Sequence, residues 1–381
     1  MVRKTVQVQS DRKKALLPRT GMIDINPEPC RDINEAAWDR YVVHHPGACP
    51  YHLRGWRQVV AATYGHVPVY LAVPGGSFRP DSPVRGLLPL FHFRGPAMED
   101  RLISLPFFDS AGLLADDPAT ERTLLAAALE LTTELNAAHL EIRQDRPGPL
   151  LAPEELEALA PGLTYQAHGF KVGLRRSLPP SAESLWGLLQ AKVRNQVRKA
   201  RRCDCAGRIG GRELLDDFYA VFSRNMRDLG SPVHSRRLFT EIFHHFPGQQ
   251  ARIILVERKK QPLAAALVFR FGDTLYNPWA SSLRSFRPLC PNMLLYWEML
   301  SHACGQGLRF FDFGRSSPGT STCAFKLQWG AKMRPLTWHV FSRTAEPWLP
   351  QRETLVIESW KSLNLALSRE LGPELRRFIS L

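Results

Sequence analysis

The chain has 381 residues, 44% of them hydrophobic, so two domains with real cores are the natural expectation and a wholly disordered chain is excluded. It carries 50 Lys and Arg against 36 Asp and Glu, a net charge of +14, which points to an anionic partner: a phosphorylated small molecule, coenzyme A, transfer RNA or an anionic lipid surface. No apolar run approaches the ~20 residues that span a bilayer, and seven scattered cysteines suit a reducing cytoplasm better than a disulfide framework.

Residues 1–22 read as a flexible basic tail. Arg3, Lys4, Arg12, Lys13 and Lys14 are followed by no apolar stretch of the kind a secretory signal needs. An N-terminal unit is expected over 23–178. It opens with an amphipathic stretch (Trp38, Asp39, Tyr41) leading to His52, Leu53 and Trp56. Strand-like runs follow at Pro68–Val73, Gly86–Phe93 and Leu102–Phe107, the first two joined by a Gly/Pro/Ser loop over 74–83. Asp117-Pro118 opens a helix that runs to about Asn136, with Leu124, Leu125, Ala128, Leu131, Thr132 and Leu135 on one face. His139–Arg143 alternates like a strand, and Asp145–Pro161 reads as a loop with a short helix.

A C-terminal unit is expected over 179–345. A helix starting at Ser181 has Leu185, Leu188 and Leu189 as its apolar stripe, then turns basic through Lys192, Arg194, Arg198, Lys199, Arg201 and Arg202. Gly207–Gly211 breaks the pattern before a helix at Asp216–Leu229. Arg252–Ser281 is a meander with turns at Lys259–Pro262 and Gly272-Asp273. A helix from Asn292 ends at Gly307. A buried strand (Leu308–Phe313), a short helix (Thr320–Gly330) and a strand after Pro335 complete the unit. Residues 346–381 read as a helical tail. The same succession of strands, helix and strand thus occurs twice, at a lag of roughly 170–180 residues, which is domain-sized rather than solenoid-sized. The second copy ends in a charged patch that the first lacks. This is a mixed α/β (α+β) plan with a duplicated unit.

The patch is Phe311-Asp312-Phe313-Gly314-Arg315, running on to Phe325-Lys326-Leu327-Gln328-Trp329-Gly330. A strand ends at a glycine and a loop feeds a helix that Thr320 or Ser321 caps, an arrangement suited to anions. Lys326 stands early in that helix, where a cation is disfavoured by the dipole; it either has a specific role or turns to solvent. Arg315 either holds a phosphate or carboxylate with its planar fork or pairs with Asp312. Phe325 and Trp329 read as core. Asp109, after Phe107-Phe108, and Asp312 are the acids placed to act as a base. The basic helix from Lys192 to Arg202 either grips phosphates or is a solvated face. Cys203 and Cys205 form a lone C-x-C, so no metal is expected. There is no G-x-S-x-G, Walker loop, H-E-x-x-H or dinucleotide glycine fingerprint.

Seven segments carry a resemblance: His52-Leu53-x-x-Trp56, Leu87-Leu88-Pro89-Leu90, Ser104-Leu105-Pro106-Phe107, Arg194-Asn195-x-Val197-Arg198-Lys199-Ala200, Gly230-Ser231-Pro232-Val233, Asp312-Phe313-Gly314-Arg315 and Phe325-Lys326-x-x-Trp329-Gly330. As a set, over about 30–340, they resemble the FemAB-related, acetyltransferase-like proteins, most closely the branch associated with the XrtA/PEP-CTERM exosortase systems. The resemblance implies tandem GNAT-like acyltransferase domains. It implies transfer of an acyl or aminoacyl group, from acyl-CoA or aminoacyl-tRNA, to an amine of a cell-envelope, exopolysaccharide or peptidoglycan-type precursor. It implies that Lys326 stabilises the developing oxyanion. Trp56, Asp109, Arg194, Asn195, Arg198, Arg315, Phe325 and Trp329 are then the substrate-binding candidates, with Lys326 and Asp312 catalytic. Two departures stand out: Val60 occupies a place where Fem enzymes often carry lysine, and the long coiled-coil arm of some Fem proteins has no counterpart. No tightly bound cofactor is expected; the partner is an anionic substrate of the CoA or nucleotide-sugar type, with tRNA as a further donor. The alternatives are a non-catalytic protein of the same fold that binds RNA or an anionic polymer through the basic helix, and a peripheral membrane scaffold.

Overall fold

The computed structural model describes residues 34–75, 82–95, 98–343 and 354–380. The expected basic tail lies outside them, as does most of the 74–83 loop. The N-terminal part runs α1 (Glu35–His44), α2 (Gly55–Tyr64), β1 (Val67–Pro74), β2 (Val84–Gly95), β3 (Met98–Ser104), β4 (Leu114–Ala115), α3 (Pro118–Glu134), β5 (His139–Gln144), α4 (Pro153–Leu159) and β6 (Thr164–Ser177). The C-terminal part continues with α5 (Ala182–Leu188), α6 (Ala191–Arg202), β7 (Ala206–Gly210), α7 (Leu215–Leu229), α8 (Arg236–His245), β8 (Ala251–Arg258), β9 (Gln261–Phe271), β10 (Thr274–Ser282), α9 (Pro291–Gly305), β11 (Phe310–Ser316), α10 (Ser321–Leu327) and β12 (Lys332–Ser342). Helices α11 (Thr354–Lys361) and α12 (Leu365–Arg376) close the chain.

Local chemistry accounts for the boundaries. Asp117 caps α3 by accepting from the Thr120 N–H, with Pro118 at the first turn. Gly65 and Gly230 end α2 and α7 in the left-handed conformation. The helix expected from Ser181 onward is broken: Leu189 is extended (ψ 145), so α5 stops there and α6 starts afresh. Leu188 consequently faces solvent while Leu185 and Leu189 are buried.

All the strands join one sheet, in the order β1-β2-β3-β5-β12-β6-β11-β10-β9-β8-β7, with β4 beside β2. The duplication is visible in this order. In the first half, antiparallel β1-β2-β3 is followed by crossover helix α3 and a strand, β5, parallel to β3. In the second half, antiparallel β8-β9-β10 is followed by α9 and a strand, β11, parallel to β10. The last strands of the halves, β6 and β12, lie side by side at the centre, and each also pairs with a strand of the other half.

Alternate residues of each strand face opposite layers, as the pleat requires. Tyr70, Phe91, Ile253 and Leu267 face a core shared by both halves, filled by Trp38, Trp56, Phe218 and Phe239 from α1, α2, α7 and α8. On the other face, Leu71, Leu90 and Leu140 pack beneath α3, and Ile254, Val268 and Phe311 pack beneath α9, α5 and α6. The C-terminal segment docks on the shared core. Arg369 donates to Ser223 (2.8 Å), His66 Nε2 bonds the Arg377 carbonyl (2.8 Å) and Arg376 Nε donates to His234 Nε2 (3.2 Å). Gly372 makes the approach of α12 possible, because a Cβ there would stand 2.9 Å from the Val233 nitrogen.

Candidate active site

Strand β11 turns Phe311 and Phe313 into the core and Asp312 to the opposite face. Its pairing with β6 slips between Asp312 and Arg315. The slip is built on Gly314, which has φ +68 and whose N–H donates to Asp312 Oδ1 at 2.7 Å. Arg315 is thereby aimed across the junction at Asp109, not at Asp312. Its backbone N–H donates to Asp109 Oδ2 (3.1 Å), and its guanidinium pairs with Asp109 Oδ1. Asp109 comes from the loop after β3, where Phe107 takes a left-handed φ of +78 and donates its N–H to the Ser380 carbonyl (2.8 Å). A non-glycine residue in that region costs on the order of 1–3 kcal/mol, tolerated here because the C-terminal segment and the core hold the loop.

Helix α10 is capped by Thr320, whose hydroxyl accepts from the Cys323 N–H at 3.3 Å. Lys326, in its last turn, does not reach solvent. It is 7% exposed, and its Nζ donates to the Arg315 carbonyl at 2.6 Å. Burial lowers its pKa to about 8, with Asp109 and Asp312 opposing the fall. Burial raises Asp312 to about 6, against the stabilising Gly314 N–H. A protonated amine and an ionised carboxylate therefore coexist between these two values.

Two cavities meet at the Asp109–Arg315 pair, both lined by Tyr51, Asp109, Gly314 and Arg315. One, of about 100 Å³, is polar: Asp109, Asp145 and Asp312 face Arg175, Arg315 and Arg334, with Cys49 and Tyr276 in the wall. The other, of about 260 Å³, is walled by Phe107, Phe108, Phe222, Trp279 and Phe313 and receives Lys326, His234, Asn277 and Arg376. Burial holds the Tyr51 and Tyr276 hydroxyls well above the usual tyrosine range, so both are neutral donors.

The structure thus gathers Lys326, Asp312, Arg315 and Asp109. Trp56 stands behind them, fully buried, its ring 4.5 Å from Phe108 and its Nε1 donating to the Pro50 carbonyl. Phe325 and Trp329 pack on Tyr296 in the core beneath α9. Val60, at the Fem lysine position, is also core. Arg194, Asn195 and Arg198 line neither cavity. Arg194 caps α5, donating to the carbonyls of Leu189 (2.7 Å) and Gly187 (3.2 Å). Arg198 lies over the Trp186 ring and donates to Asn195.

Residues 190–326 match the model of the acetyltransferase (GNAT) domain. No curated protein matches the chain in sequence. Among solved structures, the fold is similar to that of FemX (17% identity, TM-score 0.63, covering 81% of this chain and 96% of that one). It is also similar to L-PGS from Bacillus licheniformis (11%, TM-score 0.51, 95% and 100%). A tandem GNAT protein from the clavulanic acid biosynthesis pathway is a third likeness (13%, TM-score 0.50, 84% and 98%). The mixed sheet of two GNAT-like halves expected from the sequence is therefore the fold of this chain, and it supports acyl transfer in general. Among the described residues, no helix is long and apolar enough to cross a membrane, and no group of three or more His, Cys, Asp or Glu could hold a metal ion.

Sequence reasoning missed Tyr51, Tyr276, Asn277, His234 and Arg376. For two of them a signal exists. Asn277-Pro278 interrupts β10, and a proline inside a central strand marks a bulge; the β9 register slips there, between Tyr276 and Trp279. Nothing in the local pattern marks Arg376.

Proposed function

We propose that this protein is an N-acyl or aminoacyl transferase whose reaction centre is the meeting point of the two cavities. The observation that carries the reading is Lys326: a buried, protonated amine with one hydrogen spent on the Arg315 carbonyl and two left for an oxygen in the cavity. An acceptor amine attacks the carbonyl of the activated donor. Negative charge develops on the carbonyl oxygen, and the buried Lys326 stabilises it. The leaving group departs as the tetrahedral intermediate collapses. Asp312, ionised above about 6, takes the amine's proton. Arg175 and Arg315 hold the anionic part of a substrate. The donor is acyl-CoA or aminoacyl-tRNA, and the acceptor an amine of an envelope, exopolysaccharide or peptidoglycan-type precursor, as the exosortase-linked resemblance implies. The two-unit division at 178/179 and the cytoplasmic location belong to the same reading. The exposed basic face of α6 (Lys192, Lys199, Arg201, Arg202) contacts donor phosphates away from the reacting atoms.

The test is thermal shift of the wild type against acetyl-CoA, a longer acyl-CoA, UDP-amino sugars and an aminoacyl-tRNA mimic, followed by transfer assays with whichever ligands bind. Lys326→Met should still bind the donor and fold, and should transfer roughly 10²–10³-fold more slowly, as when an oxyanion donor is removed. Wild-type turnover in that variant would remove Lys326 from the mechanism. Salt-sensitive RNA retention with no small-ligand shift would favour the binding-protein alternative.

A further inference from the structure

Away from the reaction centre, β8 and β9 bring two arginines together on the face of the sheet that α9 covers. Arg252 pairs with Val268, so Arg270 is its diagonal neighbour, two positions along the partner strand. Like charges so placed repel. Both line a small cavity that His302, from the last turn of α9, also lines, with Gln249 and Gln306 beside apolar Val268 and Leu275. No Asp or Glu is among the lining residues. Among the described residues, neither the Arg270 guanidinium nor the His302 ring has an ion pair or hydrogen bond. Arg252 spends only its Nε–H, on Gln249 Oε1 at 2.9 Å. Glu213, held below the usual carboxylate range by the Gly211 N–H (2.7 Å) first and more weakly by Arg252, forms no ion pair with Arg252. The negative end of α9 attracts cations, but its last carbonyls are already engaged. Those of His302, Ala303 and Cys304 accept from the N–H groups of Gln306, Leu308 and Gly307 at 3.0, 3.0 and 2.9 Å. Burial first, and then Arg252 and Arg270, hold the His302 imidazole below its ordinary range. The cluster therefore gathers positive charge with no counter-charge of its own.

We propose that Arg252, Arg270 and His302 form a binding site for a phosphate dianion, free or at the end of a larger ligand, separate from the reaction centre. Leu275 turns to this cavity, while Tyr276, the next residue of β10, lines the reaction centre on the other face. The groups on offer are donors: the guanidiniums accept nothing, and Gln249, its oxygen taken by Arg252, has its amide N–H groups left. A ligand that accepts in several directions and brings two charges satisfies them; a carboxylate, planar and singly charged, does so less well. The cavity, about 10 Å³, has room for one water-sized group. One phosphate oxygen enters it, and the others meet the two guanidiniums at its mouth. The site does not rest on the transferase reading.

The experiment follows the His302 signal by NMR in the full chain carrying isotope-labelled histidine, the signal assigned by its loss in His302→Asn. The probes, at constant ionic strength, are inorganic phosphate, methyl phosphate (a dianion above a pKa of about 6), dimethyl phosphate (a monoanion) and chloride. Methyl phosphate should raise the His302 pKa saturably, by about one unit, because a bound anion favours the imidazolium. Dimethyl phosphate should bind at least about tenfold more weakly, with half the charge. Tighter binding of inorganic phosphate marks the free ion as the ligand, and tighter binding of methyl phosphate marks a terminal group; either supports the site. Arg270→Gln, at an exposed position, should fold as the wild type does. It should raise the His302 pKa without ligand, since a like charge is gone, and abolish the response to methyl phosphate. Arg315→Gln, at the reaction centre, should leave that response unchanged, which separates this site from phosphate drawn to the other cations. No saturable change at His302, a response to dimethyl phosphate or chloride as strong as to methyl phosphate, or a response that survives Arg270→Gln would overturn the proposal.

Discussion

Asp109→Asn separates electrostatics from architecture at the junction. The substitution keeps the shape of the side chain and an oxygen for the Arg315 N–H, and removes one charge. The paired side chains are 24% and 26% exposed, between the surface regime of ~0–1 kcal/mol and the ~3–5 kcal/mol lost when a fully buried pair is broken. A stability loss of about 1–2 kcal/mol is expected. The sharper effect is on titration. In the wild type, kcat/KM should rise with pH through about 6 as Asp312 ionises and fall through about 8 as Lys326 loses its proton. Of the charges around Lys326, Asp109 does most to raise its pKa, and Asp109 also raises that of Asp312. Removing the charge lowers both, so the whole bell moves to lower pH. The alkaline limb should move most, by about one unit, since one charge across a partly solvated cavity is worth on the order of 1–2 kcal/mol. The assay is the pH profile of kcat/KM from pH 5 to 10, with urea unfolding in parallel. A bell that loses height without moving, or an alkaline limb that moves up, would refute the reasoning.

The other expectations concern what holds this geometry. Deleting residues 378–381 removes Ser380, which accepts from Phe107 N and from Arg143 Nη1 (2.9 Å) and Nη2 (3.1 Å). The fully buried Arg143 keeps Glu141 and the Phe108 carbonyl but loses the acceptor of its Nη2, and the urea midpoint should fall by the equivalent of about 1–3 kcal/mol. Gly314→Ala forces a left-handed alanine with its Cβ 3.4 Å from the Asn277 carbonyl, a cost of about 1–2 kcal/mol. Transfer should drop at least tenfold in that variant, since the slip that aims Arg315 is lost, while melting by circular dichroism changes modestly.

Much of the fold was legible in the sequence, for a specific reason. Strands β8, β9 and β10, the helices that cross between parallel strands, and the repeat itself are buried on at least one face, so their apolar spacing announces them. Strand β6 was not anticipated. It lies between the two halves, and most of its side chains are half-exposed and only two are buried, so no alternation survives in Thr164–Ser177. Edge strand β7, with Gly207 and Gly210, shows in the sequence only as a break in the pattern. At the site, the Asp312-Gly314-Arg315 cluster and Lys326 stood out as charge in an aromatic setting. The partner of Arg315 did not, because Asp109 is 206 positions away and only the packing of one half on the other brings it near.

The register of the sheet explains why the second copy carries an open charged patch and the first does not. Glu141 stands opposite Ile103 in the β3–β5 pair, as Asp312 stands opposite Tyr276 in the β10–β11 pair. The two acids are thus equivalent positions, and each is followed by an arginine. In the first half no glycine intervenes: Glu141 Oε1 accepts directly from Arg143 Nε at 2.6 Å, with both side chains fully buried. Ser380 and the Phe108 carbonyl complete the arginine's bonds. That pair is neutral, sealed by the C-terminal segment, and serves the packing. In the second half Gly314 lets the strand slip, the arginine leaves its own acid for Asp109 of the other half, and Asp312 is left beside a cavity with its pKa raised. One glycine and the placing of the C-terminal segment therefore distinguish a structural ion pair from a pair of titratable groups, and the neutral copy becomes the wall on which the other copy's arginine is fixed.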